Sequence, residues 1–323
     1  PNVFTGVQYM LKLQHMAESK AHGRGVGAYS SDGQPAKGAE EGLQAKRFSS
    51  QELGAMVSHG AFQHLKEVAL VRGQRNDEYW ARFINGHDLP EPKVPMVYNK
   101  FLAYLKGMGV NPVRTGTKTK LLLLDDQGTG ELAEGRTVRT GETVNMAKDL
   151  KPAPGGLFDP ALFGGDGDKF ASYELDEPIP HPMMEDALRT LMGVTKDGFR
   201  NILSGQQPFG QHGTGPKAIQ SWLAELHPAN ELAAARLMAN DPRKTKREEA
   251  IKKMRYLAGL TSRNIKPETL MIRQVPIIPP IFRPISRLDN NNTPLIDGMN
   301  LLYRDMIAAD ENHRKVKQFS SDT

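Results

Sequence analysis

Val7-Gln8-Tyr9-Met10-Leu11-Lys12-Leu13-Gln14-His15 sets the register of the amino-terminal part, because Val7, Tyr9, Leu11 and Leu13 alternate with Gln8, Met10, Lys12 and Gln14. A period of two predicts a strand with one apolar face. Residues 16–22 can add two helical turns. Gly23-Arg24-Gly25-Val26-Gly27 then ends them, since glycine takes backbone angles that a helix does not use. Residues 23–47 read as a long glycine-rich loop that carries Arg24, Lys37, Lys46 and Arg47.

Working outward, Ser49 and Glu52 have capping-box spacing, and Leu53, Met56, Val57, Ala61, Leu65 and Val68 follow at three and four. One helix is expected there. A second is expected over 95–106, a strand over 118–124, and a turn at Asp126-Gln127-Gly128 leading into short extended pieces up to about residue 146. Prolines and glycines thicken between Pro152 and Pro182, which marks a loop-rich join. Helices are expected at 183–204, 216–239, 243–259 and 301–317. Between the last two lie an extended run at 270–278, a proline-fixed path through Pro279, Pro280 and Pro284, and a polar loop at 286–298.

Length and composition narrow the function classes. The 323 residues suffice for about two domains. The formal charge is +5, and residues 243–255 alone reach that value with seven cations against Glu248 and Glu249. The charge is therefore one basic segment on a balanced background, which suits a local polyanion site better than a coat of charge. That segment also reads as an amphipathic, solvated helix face. The absence of cysteine excludes disulfides, thiolate metal sites and a cysteine nucleophile. No apolar run approaches a membrane span and no signal-peptide pattern opens the chain, so an intracellular, membrane-free protein is expected. The start at Pro1 leads us to expect a processed terminus or a piece of something longer.

No catalytic constellation emerges. The nine histidines show no metal-ligand spacing, and His59 and His64, five apart, fall on different sides of a helix. Asp125-Asp126 and Glu40-Glu41 lie in loop contexts, and Asp166-Gly167-Asp168 reads as a turn. We expect neither a catalytic residue nor a metal ligand in this chain. The loop 23–47 reads either as a phosphate-binding segment, through its backbone amides with Arg24, Lys46 and Arg47, or as an ordinary solvated loop.

Taken together, several motifs resemble the multi-subunit RNA polymerases. Tyr9-Met10-Leu11-Lys12-Leu13-Gln14-His15, Lys20-Ala21-His22-Gly23-Arg24, Gly27-Ala28-Tyr29-Ser30 and Lys46-Arg47-Phe48 resemble the carboxy-terminal region of the β subunit, over roughly residues 3–110. Glu142-Thr143-Val144-Asn145, Leu150-Lys151-Pro152, Gly156-Leu157-Phe158 with Phe163-Gly164, Tyr173-Glu174-Leu175 and Pro180-His181 resemble the amino-terminal region of β′. So do Val275-Pro276-Ile277-Ile278-Pro279-Pro280 with Arg283-Pro284, and Leu302-Tyr303-Arg304. Two departures stand out. Asp159 replaces the first cysteine of the β′ zinc module, and residues 164–169 occupy the place of that module. A β end joined to a zinc-free β′ start is most similar to the reduced polymerases of large bacteriophages.

The resemblance implies an α+β fold, mixed helices and short strands forming the base of a polymerase clamp without a zinc module. It implies a β-like region at 1–112, a strand-rich junction at 113–182 and a clamp-like helical region at 183–323. Lys12 and His15 would approach the RNA near the active site, while Lys20, Arg24, Lys46 and Arg47 would meet phosphates along the hybrid. Asp289, Asn290, Asn291 and Asn292 fall in the position of the lid that helps part RNA from DNA. The last helix would begin the clamp coiled coil, on which an initiation factor can dock. The Asn-Ala-Asp-Phe-Asp-Gly-Asp motif that holds the catalytic magnesium does not occur here, so the magnesium is expected elsewhere in the assembled polymerase. The implied partners are the other polymerase subunits, the DNA template and the RNA transcript; the implied location is cytoplasmic, or the virion for a phage protein. The alternative is a non-catalytic nucleic-acid-binding or regulatory protein derived from a polymerase.

Overall fold

Ser49 caps the first long helix as its spacing requires, with its backbone N–H donating to Glu52 Oε2 at 3.0 Å. That helix belongs to a computed structural model that describes residues 3–321 apart from 26, 31, 38–42, 117, 143, 146–150 and 288–293. The chain divides into two units, Pro1–Asn99 and Lys100–Thr323.

The first unit contains α1 (Ala17–Lys20), α2 (Ser50–Ser58), α3 (Phe62–Glu67), which runs on into a π-helical turn at Val68–Arg72, and α4 (Asp77–Ile84). The single helix expected across 49–68 is thus broken. Gly60, at φ +74°, turns the chain between α2 and α3, and only glycine takes that angle without strain. The strand expected at 7–13 is absent: those residues are neither helix nor strand. A strand exists by pairing, and no described residue pairs with this segment. The helix expected over 16–22 shrinks to the single turn of α1. Val71 is the one large apolar residue of this unit buried among the described residues, whereas Phe4, Val7, Tyr9, Met10 and Leu11 are almost fully exposed. Among its described residues this unit has no apolar core.

In the chain order that follows, α5 (Met96–Gly107) leads to an antiparallel hairpin of β1 (Val110–Thr115) and β2 (Lys118–Leu123). Then comes α6 (Asp126–Ala133), where the sequence reading expected only a turn. Asp125 caps it by accepting from Gly128 N at 2.9 Å, and Asp126 Oδ1 accepts from the backbone of both Arg273 and Gln274 at 2.8 Å. Each of the paired carboxylates is therefore a backbone acceptor. The short pair β3 (Val144–Asn145) and β4 (Lys151–Pro152) and the turn-length α7 (Pro160–Phe163) follow. Asp159, in the position of the family's cysteine, caps α7 through Ala161 N at 2.9 Å and accepts from Gly155 N at 2.6 Å.

The loop-rich join expected at 152–182 instead holds the longest strand, β5 (Ala171–Pro180), which pairs antiparallel with β6 (Met271–Ile277). Between them run α8 (Glu185–Met192), α9 (Lys196–Leu203), α10 (Gly215–Glu225), α11 (Pro228–Met238) and α12 (Lys244–Ser262). Gly193, at φ +69°, and Pro228 explain why the two longer helices expected here are each split. The strands β7 (Ile285–Arg287) and β8 (Pro294–Ile296) pair before α13 (Gly298–Ser321).

Two apolar cores result. Leu188, Phe199, Ile202, Ile219, Leu223 and Leu257 build one among the helices; Leu157, Phe163, Tyr173, Ile277, Ile278 and Ile307 build the other between the β5–β6 pair and α13. In the second, Arg283 is fully buried. The proline-fixed path expected here is a short 3-10 turn at Pro280–Phe282, followed by this arginine. Its guanidinium donates to Ile278 O (2.6 Å), Asn300 Oδ1 (2.7 Å) and Leu157 O (2.7 Å), and it lies 4.9 Å from the Phe158 ring centre and 5.2 Å from that of Phe163. Burial pushes its pKa down to about 10. His181 is equally buried; its Nε2 lies 3.1 Å from Gly109 O and its Nδ1 accepts from Met183 N at 3.2 Å, which assigns the proton to Nε2. Burial lowers its pKa.

Candidate nucleic-acid interface

Arg24 organises the glycine-rich loop. Its Nε donates to Leu43 O and its Nη2 to Ala28 O, both at 3.0 Å, and its guanidinium sits 5.1 Å from the centre of the Tyr29 ring. Gly27 makes room for it: a Cβ there would lie 2.6 Å from Arg24 Nη2. Around this fastening the backbone folds back twice. Ala36 N donates to Ala28 O and Ala45 N to Ala36 O, each at 3.0 Å, while Ser30 N donates to Gln34 O across a turn at Gly33, φ +74°. His22 Nε2 lies 2.6 Å from Gln44 O and closes the other side. The described residues between 22 and 47 thus form a folded loop. His22, Gly27 and Tyr29 are the residues that reading for charge alone passed over, although the motifs Lys20-Ala21-His22-Gly23-Arg24 and Gly27-Ala28-Tyr29-Ser30 contain them.

Lys46 and Arg47 leave this loop immediately after Ala45 and just ahead of the Ser49 cap. Both are exposed, and among the described residues neither side chain makes a hydrogen bond or ion pair. They can reach a phosphate without breaking any contact, and the positive end of α2 lies next to them. Arg24 is already committed to two carbonyls and a ring, so its contribution includes holding Lys46 and Arg47 on a folded support. Lys12 and His15 are exposed on the segment 3–16, and no hydrogen bond or ion pair joins them to the folded loop among the described residues. Lys20 ends α1. Asp289, Asn290, Asn291 and Asn292 lie outside the described residues, between β7 and β8.

Elsewhere Asp176, Glu177 and His313 place ligand-type atoms within 4.8 Å of one another. Lys317 Nζ, at 2.8 Å from Asp176 and 3.3 Å from Glu177, and Lys217 Nζ, at 3.1 Å from Glu177, already occupy that space. The hydrogen bond from Lys317 lowers the pKa of Asp176. For Glu177, burial acts upward and the two lysines outweigh it, so its pKa also falls. This is an ion-pair clasp from β5 to α10 and α13.

Over about a third of its length the chain is similar to RNA polymerase β subunits. The β subunit of DNA-directed RNA polymerase from Aster yellows witches'-broom phytoplasma is 34% identical over 122 residues, 36% of this chain and 10% of that subunit. The β subunit from Flavobacterium johnsoniae is 36% identical over 110 residues, covering 33% and 9%, and that from Chlorobium luteolum 35% over 112, covering 33% and 8%. About a third of the chain is thus polymerase β-like, and the match spans about a tenth of the length of these curated relatives. No protein-family model matches the chain. Among the described residues no helix is long and apolar enough to cross a membrane.

Proposed function

We propose that this chain is part of a DNA-directed RNA polymerase, a nucleotidyltransferase, in which it supplies phosphate contacts along the nucleic-acid path and a surface for joining other subunits. The observation that carries the reading is the 34% identity over 122 residues to a polymerase β subunit. The coreless first unit supports it physically. Phe4 is fully exposed, Tyr9 and Val7 nearly so, and a chain segment this apolar gains most of its stability by burial against a partner. In this reading residues 3–110 are the β-like end and the rest is a β′-like start that forms the base of the clamp, with α13 opening the coiled coil where an initiation factor docks.

The folded loop gives the mechanism its shape. Lys46 and Arg47 neutralise backbone phosphates of the template or hybrid without reading bases, held in place by Arg24 and His22. Lys12 and His15 approach the RNA from the neighbouring segment, and Lys20 meets phosphates along the hybrid. Residues 286–298, which include Asp289, Asn290, Asn291 and Asn292, match the lid in sequence position. Other chains supply the magnesium and its aspartates, and the setting is the cytoplasm of a bacterium infected by a large phage.

The test is affinity purification of the tagged chain from its native cells. Recovery with large chains that carry Asn-Ala-Asp-Phe-Asp-Gly-Asp supports the reading. Recovery as a single soluble species without them overturns it in favour of a stand-alone regulator. Crosslinking from a photoreactive template strand in the purified complex should label residues 12–47; an unlabelled segment refutes that part.

A further inference from the structure

The basic segment 243–255 is not used by the reading above, and the structure sets two of its seven cations apart from the rest. α12 packs against α11 and α8 and buries Ala250, Leu257 and Leu260. Lys253 is half-buried, with Nζ 3.9 Å from the Cβ position of Gly193, where the C-terminus of α8 favours a cation. Arg243 is paired with Asp241, Nη2 to Oδ2 at 3.0 Å. These two are structural.

Lys244, Arg247, Lys252 and Arg255 are all exposed. At 100° per residue Lys244, Lys252 and Arg255 fall on the side of α12 opposite its buried face with Glu248 among them, Arg247 lies on the flank nearer Ala250, and Arg263, at the carboxy-terminal cap, prolongs the row. With a rise of 1.5 Å per residue, the stretch from Lys244 to Arg255 is about 17 Å long and reaches about 28 Å at Arg263. Among the described residues the only ion pair in this row is Lys244 with Glu248, at a loose 4.0 Å. Four cations against the one Glu248 leave this face net positive, and a polyanion relieves the repulsion that remains.

Charge alone would also admit an acidic protein. Stable protein interfaces, however, are depleted in lysine and built around aromatic and apolar anchors. Along this row Ile251 is the one large apolar side chain. We therefore propose that the solvent face of α12 is a second nucleic-acid contact, in which Lys244, Arg247, Lys252 and Arg255 bind the sugar–phosphate backbone of duplex DNA without base readout. The choice of DNA as the polyanion rests on the polymerase reading; the row itself does not.

The test uses the full 323-residue chain and a fluorescent 30-base-pair duplex, with anisotropy followed from 50 to 300 mM KCl. The variant Lys244→Gln/Arg247→Gln/Lys252→Gln/Arg255→Gln should bind more weakly, with a log–log salt slope shallower by about 3.6, at about 0.9 per phosphate for four contacts. All four positions are exposed, and an unchanged circular dichroism spectrum confirms the fold. Lys252→Gln/Arg255→Gln, the smaller set, should lose about half of that slope. A slope unchanged in both variants overturns the proposal. So does displacement of the duplex by polyglutamate at an equal concentration of charge, which would show an acidic-protein surface. Lys46→Ala/Arg47→Ala, with α12 intact, reports on the other loop alone. A slope lost there and retained in the α12 variants leaves the polymerase reading standing while refuting this one.

Discussion

Replacing Arg283 by methionine probes the interior of the second unit at its most demanding point. The arginine is fully buried, and no carboxylate among the described residues pairs with it. Its charge is held by three acceptors, Ile278 O, Asn300 Oδ1 and Leu157 O, and by the faces of Phe158, Phe163 and Tyr303. Arg283→Met strands three buried acceptors, at about 1–3 kcal/mol each. Loss of the ring contacts adds about 1–2 kcal/mol per well-desolvated face. Against this, a buried charge is removed; the depression of its pKa to about 10 puts that relief at roughly 3 kcal/mol. Taken toward the low end of each range, the losses exceed the relief by about 4 kcal/mol, and methionine's similar bulk leaves little cavity to add. For a unit of this size that is a fall of about 8–16 °C in Tm. Thermal melting followed by circular dichroism at pH 7 measures it. Arg283→Lys should fall nearly as far, because a single ammonium cannot span three acceptors in one plane. A methionine variant melting within about 2 °C of the wild type, or above it, would refute the reasoning, since the guanidinium would then be dispensable packing.

Other expectations follow from the same interior and from the basic loop. Gly109→Ala places a Cβ 2.4 Å from His181 Nε2 at a backbone φ of +85°, and should destabilise by at least about 2 kcal/mol in urea unfolding. His181 has a folded pKa below its ordinary 6.5, so the neutral form is the one the fold holds. Its contribution is full above about pH 6.5 and is lost as the pH falls toward the folded value; the drop in Tm between pH 7.5 and 5.5 should shrink in His181→Gln. Asp310 accepts from Tyr173 OH and Asp176 N at 2.9 Å each, and burial together with that carboxylate raises the Tyr173 pKa. Asp310→Asn should lower the phenol's ultraviolet titration midpoint, and an unmoved midpoint would remove Asp310 as a cause. Lys46→Ala/Arg47→Ala should weaken nucleic-acid binding and flatten its salt dependence by about 2 in log–log slope; an unchanged slope would deny phosphate contact.

Several elements were legible because their causes are local. Ser49 and Glu52 are three residues apart, and the helix start they announce depends on nothing else. The strands expected at 118–124 and 270–278 are found at 118–123 and 271–277, and the mixed helices and short strands agree with the α+β class that the resemblance implied. Lys46 and Arg47 were also legible as exposed cations, since charge beside a cap needs no tertiary partner to stay in water.

What the sequence by itself determined was therefore the placement of caps, breaks and charges, and the β-like character of about a third of the chain. Tertiary structure decided the rest. Val7 to Leu13 has the pattern of a strand and is none, because pairing requires a partner that the described residues do not provide. Ala171–Pro180 lies among prolines and glycines and is a strand, because β6 meets it about a hundred residues later. Arg24 is a fastener because Leu43 and Tyr29 come to it, and Arg283 is a core residue because Leu157 and Asn300 do. A side chain's chemistry is written in its own letter, whereas its partner is set by the path of the whole chain.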